Sequence, residues 1–295
     1  MIDYEKTKAW RSGPVRHAYT EKDTMLYALG LGVGSDPMDA RQLGYVYEKG
    51  LKALPTMAAV LASPGAWMRE RSELGIDFLR LVHGEQSLVT HAPLPARAVV
   101  LGQSRVTRIV DKGEGKGAIL HVEKTLTDEA HGRLLATVEQ VLFLRGDGGF
   151  SKGAGADEPA ARAPALPERA PDSVSELPIR PEAALIYRLS GDTNPLHADP
   201  AVAQRAGFAR PILHGLCTWG RAAHAVIERA CGDDPARLSA FRARLSAPVY
   251  PGETLLLSLW HEDDGRIAFQ ARVRERDVIV LDQGWAHVAG IAPGS

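Results

Sequence analysis

Residues 254–288, TLLLSLWHEDDGRIAFQARVRERDVIVLDQGWAHV, decide the fold of this chain. They contain three apolar runs, at 254–260, 267–273 and 278–288, and the turn Asp263-Asp264-Gly265 joins the first two. Within 267–273 large apolar and polar positions roughly alternate, which is the period of a strand with one buried face. Short turns between successive strands favour antiparallel pairing, so this stretch predicts a meander of long antiparallel strands.

A similar pattern occurs in the first half of the chain. Three strand-like runs, joined by short turns, cover residues 99–110, 118–126 and 134–144. Each set of runs follows a Pro-containing segment, at 92–97 in the first half and at 247–252 in the second. A weak internal repeat of this kind indicates a duplicated domain.

The segment 153–181 separates the two halves. It is rich in Ala and Pro and holds almost no bulky apolar residues, so it cannot bury enough surface to offset the entropy of ordering it. We interpret it as a semi-extended linker, and a long surface loop within one domain is the alternative. The predicted organisation is an N-terminal unit over 1–152, a linker over 153–181 and a C-terminal unit over 182–295.

One long helix is predicted over residues 214–231, ended by Gly232. Its apolar residues recur every three or four positions, which is the spacing of one buried helix face; they are Leu216, Trp219, Ala223, Val226, Ile227 and Ala230. The apolar stretch 51–62 of the first half holds Pro55, so a helix there is expected to be shorter or broken. A long helix against an antiparallel sheet is an α+β arrangement.

Composition excludes several classes of protein. The chain has 295 residues, is 45% hydrophobic and has a formal net charge of −1, so no global field favours nucleic acid or an anionic membrane. Two cysteines are too few for a disulfide scaffold. The charged N-terminus, the absence of a membrane-spanning apolar run and a C-terminus without Ser-Lys-Leu predict a soluble intracellular protein. The alanine- and arginine-rich composition indicates a bacterial cytoplasmic one.

The sequence Gly191-Asp192-Thr193-Asn194-Pro195-Leu196-His197 carries the candidate chemistry. It places a carboxylate and an imidazole five residues apart across an Asn-Pro turn, so both side chains can face one spot. An acid and a base around one water can deliver a proton and a hydroxyl to the same face of a double bond. Asn194 is the natural residue to orient them. The alternative is an N-cap Asp beside a surface His.

The segment Pro211-Ile212-Leu213-His214-Gly215 leads directly into the predicted long helix. The backbone N–H of Gly215 has no partner in the first helical turn and lies at the positive end of the helix dipole. Such a donor can stabilise an oxyanion. The alternative is a glycine that permits close packing of the helix on the sheet.

Residues 187–220 resemble the signature of the MaoC-like (R)-specific enoyl-CoA hydratases. With Tyr27-Ala28-Leu29-Gly30, His83-Gly84-Glu85-Gln86 and 247–252, nearly the whole chain is similar to the hydratase 2 type. The resemblance implies a double hotdog fold, in which two hotdog units lie side by side, each a sheet wrapped on a helix. The first half has no Asp-x-Asn-Pro-x-His sequence, so one active site is expected per chain.

The resemblance also assigns roles to single residues. It implies that Asp192 and His197 form the catalytic pair, that Asn194 orients the pair and that Gly215 is the oxyanion donor. The expected substrate contacts are His83 and Gly84 on the CoA side, a basic Lys112, the loop residues Thr193, Pro195 and Leu196, and Leu245 at an acyl-contact position where relatives often have Phe.

The implied reaction is reversible syn hydration of a trans-2-enoyl-CoA to a (3R)-3-hydroxyacyl-CoA, without metal or other cofactor. A hotdog thioesterase and a non-catalytic acyl-CoA-binding protein are the alternatives. The sequence leaves open the acyl group, which can be a fatty acyl chain, a sterol side chain or an aromatic group. It also leaves open homodimerisation, since a double hotdog supplies its own pseudo-dimer.

Three further features of the sequence bear on function. The glycines at 30–34 follow G-x-G-x-G rather than G-x-G-x-x-G and lack a βαβ context, which argues against a nucleotide site. Ten histidines are scattered along the sequence, which argues against a metal site, and His214 fits either a surface or a packing role. The arginine-rich run 237–244 is interpreted as a solvated face with some attraction for CoA phosphates.

Overall fold

The computed structural model of the chain describes residues 1–152, 155–161 and 163–290. The strands in these residues are β1 (Val15–Tyr19), β2 (Leu81–Thr90), β3 (Ala98–Asp111), β4 (Ala118–Asp128), β5 (Leu134–Leu144), β6 (Ser173–Pro178), β7 (Leu238–Leu245), β8 (Thr254–His261), β9 (Arg266–Val273) and β10 (Val278–Val288). All of them pair antiparallel in one sheet, in the order β1-β3-β4-β5-β2-β7-β10-β9-β8-β6.

The two predicted meanders are confirmed, as β3-β4-β5 and β8-β9-β10. The two halves of the sheet join through β2 and β7, which pair with Glu85 opposite Arg244 and Leu88 opposite Phe241. The interpretation of 237–244 as a solvated face therefore holds for only one side of β7. Phe241 and Ala243 are fully buried on the inner side of β7, while Arg242 and Arg244 point to the opposite face because side chains alternate along a strand.

The predicted linker is partly wrong as well. β6 lies inside 153–181 and pairs with β8 along its whole length, from Ser173 opposite Leu259 to Pro178 opposite Thr254. Its residues Ser175 and Leu177 are buried, so a short alternation of exposed and buried positions was enough to form an edge strand. Earlier in the segment, Asp157 accepts hydrogen bonds from the Lys8 Nζ at 2.6 Å and the Ile109 N–H at 2.8 Å. Residues 153, 154 and 162 lie outside the described residues.

Seven α-helices occur in the described residues. They are α1 (Tyr4–Ala9), α2 (Glu21–Gly30), α3 (Ala40–Val46), α4 (Trp67–Glu70), α5 (Ala183–Tyr187), α6 (Pro200–Arg205) and α7 (Gly215–Ala230). Short 3₁₀ helices cover Pro55–Ala59, Ser72–Leu74, Phe78–Arg80, Arg188–Ser190, Pro195–His197, Pro235–Arg237 and Asp263–Gly265. Among these described helices, none combines the length and the apolar character that a membrane crossing requires.

The long helix of the C-terminal unit is confirmed as α7. Trp219, Val226 and Ile227 on this helix are completely buried, and the Trp219 ring lies 5.3 Å from the ring of Phe241 on β7. The apolar face of α7 therefore packs on the inner face of the sheet. Burial of apolar area at about 25 cal/mol per Å² makes this contact a main source of stability in the C-terminal unit.

The N-terminal unit holds no equivalent long helix in its described residues. The expectation of a shortened helix is confirmed, because the stretch with Pro55 forms only the five-residue 3₁₀ helix Pro55–Ala59. Shorter segments cover part of the inner face instead, with the rings of Trp10 and Trp67 stacked 3.6 Å apart. A sheet covered by short pieces leaves room for cavities that a continuous helix would fill.

Candidate active site

The loop between α5 and α6 holds the predicted acid and base. Gly191 adopts a φ of +114°, a left-handed conformation that glycine tolerates without strain. Directly after it, the Asn194 N–H donates to Oδ1 of Asp192 at 3.1 Å. Oδ1 of Asn194 in turn accepts from the Leu196 N–H at 3.0 Å and caps the 3₁₀ turn Pro195–His197. The local sequence thus holds Asp192 and His197 at the two ends of one tight turn.

Tertiary packing adds a third residue to this pair. A carboxylate oxygen of Asp192, a ring nitrogen of His197 and a ring nitrogen of His214 all lie within 4.8 Å of one another. His197 and His214 are 8% and 1% exposed, whereas Asp192 is half-buried. The predicted pair is therefore brought together in space, and His214, which the sequence left undecided, lies beside it.

Backbone carbonyls determine which nitrogen of each imidazole carries the hydrogen. Nδ1 of His197 lies 2.9 Å from the carbonyl oxygen of Ile212, and Nε2 of His214 lies 3.1 Å from that of Asp192. A carbonyl oxygen can only accept, so both of these nitrogens are protonated donors. In the neutral rings, Nε2 of His197 and Nδ1 of His214 keep their lone pairs. The latter atom is buried and has no hydrogen-bond partner among the described residues.

Burial keeps both imidazoles neutral. It lowers the pKa of His197 below its ordinary value, although the Ile212 carbonyl and the Asp192 carboxylate act in the opposite direction. Burial, reinforced by the neighbouring His197, lowers the pKa of His214 to about 4. Desolvation penalises the charged form of a histidine. Near pH 7 the cluster therefore offers imidazole lone pairs rather than imidazolium donors.

The start of α7 lies next to this cluster. Gly215 is the first residue of the helix, so its N–H has no carbonyl one turn earlier to bond. A Cβ added to Gly215 would lie 2.9 Å from Cδ1 of Leu245, at the end of β7. The predicted oxyanion donor and the predicted acyl-contact residue are thus neighbours.

His83 approaches the same place from β2. Its Nε2 lies 3.1 Å from the carbonyl oxygen of Glu85, across an irregularity in the β2–β5 pairing at Gly84. Burial lowers the pKa of His83 to about 4, and the Asp192 carboxylate, which is close enough to act on it, opposes this shift. The Asp192 carboxylate is thus within electrostatic range of the His83 ring.

Other predicted residues lie further out. Lys112 is exposed in the turn after β3, with its Nζ 5.7 Å from the centre of the Phe143 ring. Thr193, Asn194 and Pro195 are exposed and Leu196 is half-buried. Because the Asn194 side chain caps the turn, this residue orients Asp192 through its backbone N–H.

Tyr187 is a neighbour of the site that the sequence did not single out as functional. Its ring packs 5.0 Å from the ring of His214 and 5.8 Å from that of Tyr27. Its hydroxyl is buried and has no hydrogen-bond partner among the described residues. The only available signal was its position at the start of the segment 187–220, because nothing local marks it as a partner of His214.

Asp192, His197 and His214 are also the kinds of side chain that bind a metal ion. The expectation that scattered histidines exclude such a site overlooked that the fold could bring two of them together with a carboxylate. Both imidazoles keep one nitrogen free for an acceptor role, so the cluster can hold either a water molecule through its hydrogens or a cation.

Comparison with known proteins agrees with the fold and the site. Residues 17–146 match the family model for the MFE-2 hydratase 2 N-terminal domain, and residues 162–283 match that for the MaoC like domain. The chain is 41% identical over 288 residues to a Mycobacterium tuberculosis protein named 3-hydroxyacyl-thioester dehydratase Y, covering 94% of this chain and 96% of that protein. It is 38% identical to the peroxisomal enoyl-CoA hydratase 2 of Arabidopsis thaliana, covering 94% and 92% of the two chains.

Solved structures give the same result. A MaoC-like dehydratase from Phytophthora capsici superimposes with a TM-score of 0.86 at 31% identity, over 99% of this chain and 100% of that one. A Mycobacterium tuberculosis protein described as having a double hotdog fold shares the fold, with a TM-score of 0.56 at 17% identity over 97% of both chains. The two units joined at β2 and β7 are accordingly a double hotdog, and the chain belongs to the MaoC-like dehydratase family, in its hydratase 2 group of enzymes.

Proposed function

We propose that this enzyme catalyses the reversible syn hydration of trans-2-enoyl-CoA thioesters to (3R)-3-hydroxyacyl-CoA. The observation that carries the proposal is the position of the Asp192 carboxylate and the His197 imidazole in one cluster, near the free N–H at the start of α7. The names of the relatives, an enoyl-CoA hydratase and a 3-hydroxyacyl-thioester dehydratase, agree with it.

The reacting water is bound between Asp192 and His197. The carboxylate accepts one of its hydrogens, and Nε2 of His197 accepts the other because Nδ1 donates to Ile212. As the water oxygen attacks C3, one proton passes to this pair, the C2–C3 double bond breaks and the electron pair moves onto the thioester as an enolate. The same proton then returns to C2, so one molecule of water is added and the pair is regenerated.

The enolate oxygen is stabilised by the backbone N–H of Gly215. Removal of one such donor typically costs a factor of about 10² to 10³ in rate. Leu245 lies beside Gly215, and a neutral His83 adds no charge that would compete for the oxyanion. Because one pair supplies both the hydroxyl and the proton, both add to the same face of the double bond.

The remaining substrate contacts belong to the same proposal. CoA extends from the thioester towards His83 and Gly84, and Lys112 in the turn after β3 provides a positive charge for its phosphates. The acyl group extends past Leu245 into the N-terminal unit, where short helices replace a long one. We propose that neither a metal nor another cofactor takes part, and that one site operates per chain.

The test is hydration of crotonyl-CoA, decenoyl-CoA and a sterol-side-chain enoyl-CoA, measured as loss of the enoyl-thioester absorbance. We expect a (3R) alcohol on chiral analysis, with turnover unchanged after dialysis against EDTA. Release of free CoA without hydration would identify a thioesterase. Binding without turnover would identify an acyl-CoA-binding protein, and loss of activity on chelation that is restored by a divalent ion would assign the cluster to a metal.

A further inference from the structure

A cavity of about 200 Å³ lies on the inner face of the N-terminal sheet, outside the acid–base cluster. Ala59, Trp67 and Met68 line it from the segments that cover the sheet. Strands β3, β4 and β5 line it with both apolar and polar side chains, and the polar ones are Ser104, Lys124 and Gln140. A pocket for a plain hydrocarbon chain needs no such polar groups.

Lys124 is the unusual member of this lining. It is 7% exposed, and its Nζ donates to the carbonyl oxygens of Ala59 at 3.0 Å and Leu61 at 2.5 Å. Among the described residues it forms no ion pair with a carboxylate, and burial lowers its pKa to about 7. A charged lysine has three N–H donors, so one is left beyond the two carbonyls. Burying an amine without a full set of partners is costly, which calls for a compensating contact.

Further polar groups lie on the same face of the sheet. Lys124 is directly opposite Ser104 on β3 and Val138 on β5. Gln140 lies two residues further along β5 than Val138, and it pairs with Gln86 on β2. Gln86 is fully buried, and its Oε1 has no hydrogen-bond partner among the described residues. A polar band made of Ser104, Lys124, Gln140 and Gln86 thus crosses the inner face.

The strand register places this band at a fixed distance from His83, which lies within electrostatic range of Asp192. His83 pairs with Leu142, two residues from Gln140 on the same face of β5. Lys124 is opposite Val138, which lies four residues along β5 from Leu142. Lys124 is also two strands away from β2. At ordinary strand dimensions, these two displacements place Lys124 roughly 16 Å from His83. An acyl chain that starts at the thioester beside Gly215 and runs along this face would bring its distal end to Lys124.

We propose that Lys124 selects acyl groups that carry an oxygen acceptor, a keto group or a carboxylate, at their distal end. The third N–H of Lys124 donates to that oxygen, and the Gln140 amide supplies a second donor. An oxygen of the ligand next to the Lys124 amine favours the protonated form of the amine, because only the protonated form provides the third N–H. This inference rests on the proposed function, since the thioester end must be bound at Gly215.

The opposing interpretation is that Lys124 serves only to hold the Ala59 and Leu61 carbonyls. Both interpretations predict a loss of stability when Lys124 is replaced. They differ in ligand preference, because a purely structural lysine cannot distinguish between acyl groups that differ only at the distal end. The test therefore first compares the affinities of different ligands for the wild-type chain, and then compares the wild type with a Lys124 variant.

The experiment is calorimetric titration of three saturated CoA thioesters of equal chain length, which end in a methyl, a keto or a carboxylate group. Saturated thioesters bind without turnover, so the result does not depend on hydration. We expect the wild-type chain to bind one or both oxygenated ligands about ten- to a hundredfold more tightly than the methyl-ended one. The Lys124→Met variant should lose this preference while it still binds the methyl-ended ligand.

Lys112→Met is the matched control, because it makes the same substitution at the CoA end and should weaken all three ligands by a similar factor. If Lys124→Met proves too unstable, Gln140→Leu should reduce the preference severalfold. Equal binding of all three ligands by the wild type, or an unchanged preference in Lys124→Met, would overturn the proposal. Binding of none would overturn it together with the proposed function, whereas binding with the expected preference but no hydration of enoyl-CoA would overturn the proposed function alone.

Discussion

The imidazole rings of His197 and His214 stack with their centres 3.7 Å apart and 27° between their planes. His197 comes from the Asn-Pro turn and His214 from the residue before α7. The stack therefore connects the loop that carries the acid and base to the helix that carries the oxyanion donor. His214 also donates from Nε2 to the backbone carbonyl of Asp192, so it is well placed to position both members of the pair.

Replacement of His214 by Phe should lower kcat about fivefold with little change in KM. The ring that packs on His197 remains, but the hydrogen bond to the Asp192 carbonyl is lost, and a bond of this kind contributes about 1 kcal/mol. Steady-state hydration kinetics measure the effect. His214→Asn, which keeps a donor, should recover part of the rate. The control is His224→Phe, a buried histidine elsewhere on α7; a fall in kcat of equal size there would indicate a general effect of disturbing the helix.

Asp192→Asn should reduce hydration by a factor of about 10² to 10⁴, the usual contribution of a general acid–base group. The amide retains an oxygen to accept from the Asn194 N–H, so the melting temperature should stay close to that of the wild type. Asp199→Asn is the matched control, because this residue accepts from the Ala201 N–H at the start of α6. Substantial hydration by the Asp192 variant would remove this carboxylate from the mechanism.

The hydration rate should fall on the acid side of an inflection below pH 6.5. Activity requires the lone pair on Nε2 of His197, and burial lowers the pKa of this residue below its ordinary value. Protonation, and with it the loss of the base, therefore occurs at a lower pH than for an exposed histidine. A profile of kcat/KM against pH between 5 and 8 measures it, and an acid inflection above pH 7 would contradict the assignment.

Stability should decrease as the pH falls from 6.5 towards 5. Burial lowers the pKa of His214 to about 4 and that of His224 to about 3 in the folded chain, whereas an unfolded histidine titrates near 6.5. In this window the unfolded state binds protons that the folded state does not, so the free energy of unfolding falls with decreasing pH. Urea denaturation at pH 7.5, 6.5 and 5.5 measures the slope. His224→Phe should make the free energy of unfolding depend less steeply on pH. An unchanged dependence would mean that His224 is not buried in its neutral form.

Gly215→Ala should impair hydration although the N–H is kept. The new methyl group would lie 2.9 Å from Cδ1 of Leu245, so either this side chain moves or the space beside the oxyanion donor narrows. We expect kcat/KM to fall about tenfold or more, the usual scale for a misplaced catalytic contact. The double variant Gly215→Ala/Leu245→Ala removes the clash and should recover most of the loss. If the double variant is as slow as the single one, the effect comes from the backbone of the helix.

Local patterns in the sequence were enough for much of the fold and the site. Period-two alternation predicted both meanders, and the spacing of Trp219, Val226 and Ile227 predicted α7, because each pattern records burial of one face of a local element. The Asn-Pro turn between Asp192 and His197 likewise acts through contacts only a few residues long.

Tertiary structure alone decided the rest. Pairing of β2 with β7 turned a run of arginines into a central strand, with Phe241 facing the core. The convergence of His83 and His214 on Asp192, and the burial of Lys124 in a cavity, also depend on residues far apart in the chain. A sequence pattern shows which face of an element is buried, but it does not show what covers that face, because that follows from how distant elements pack.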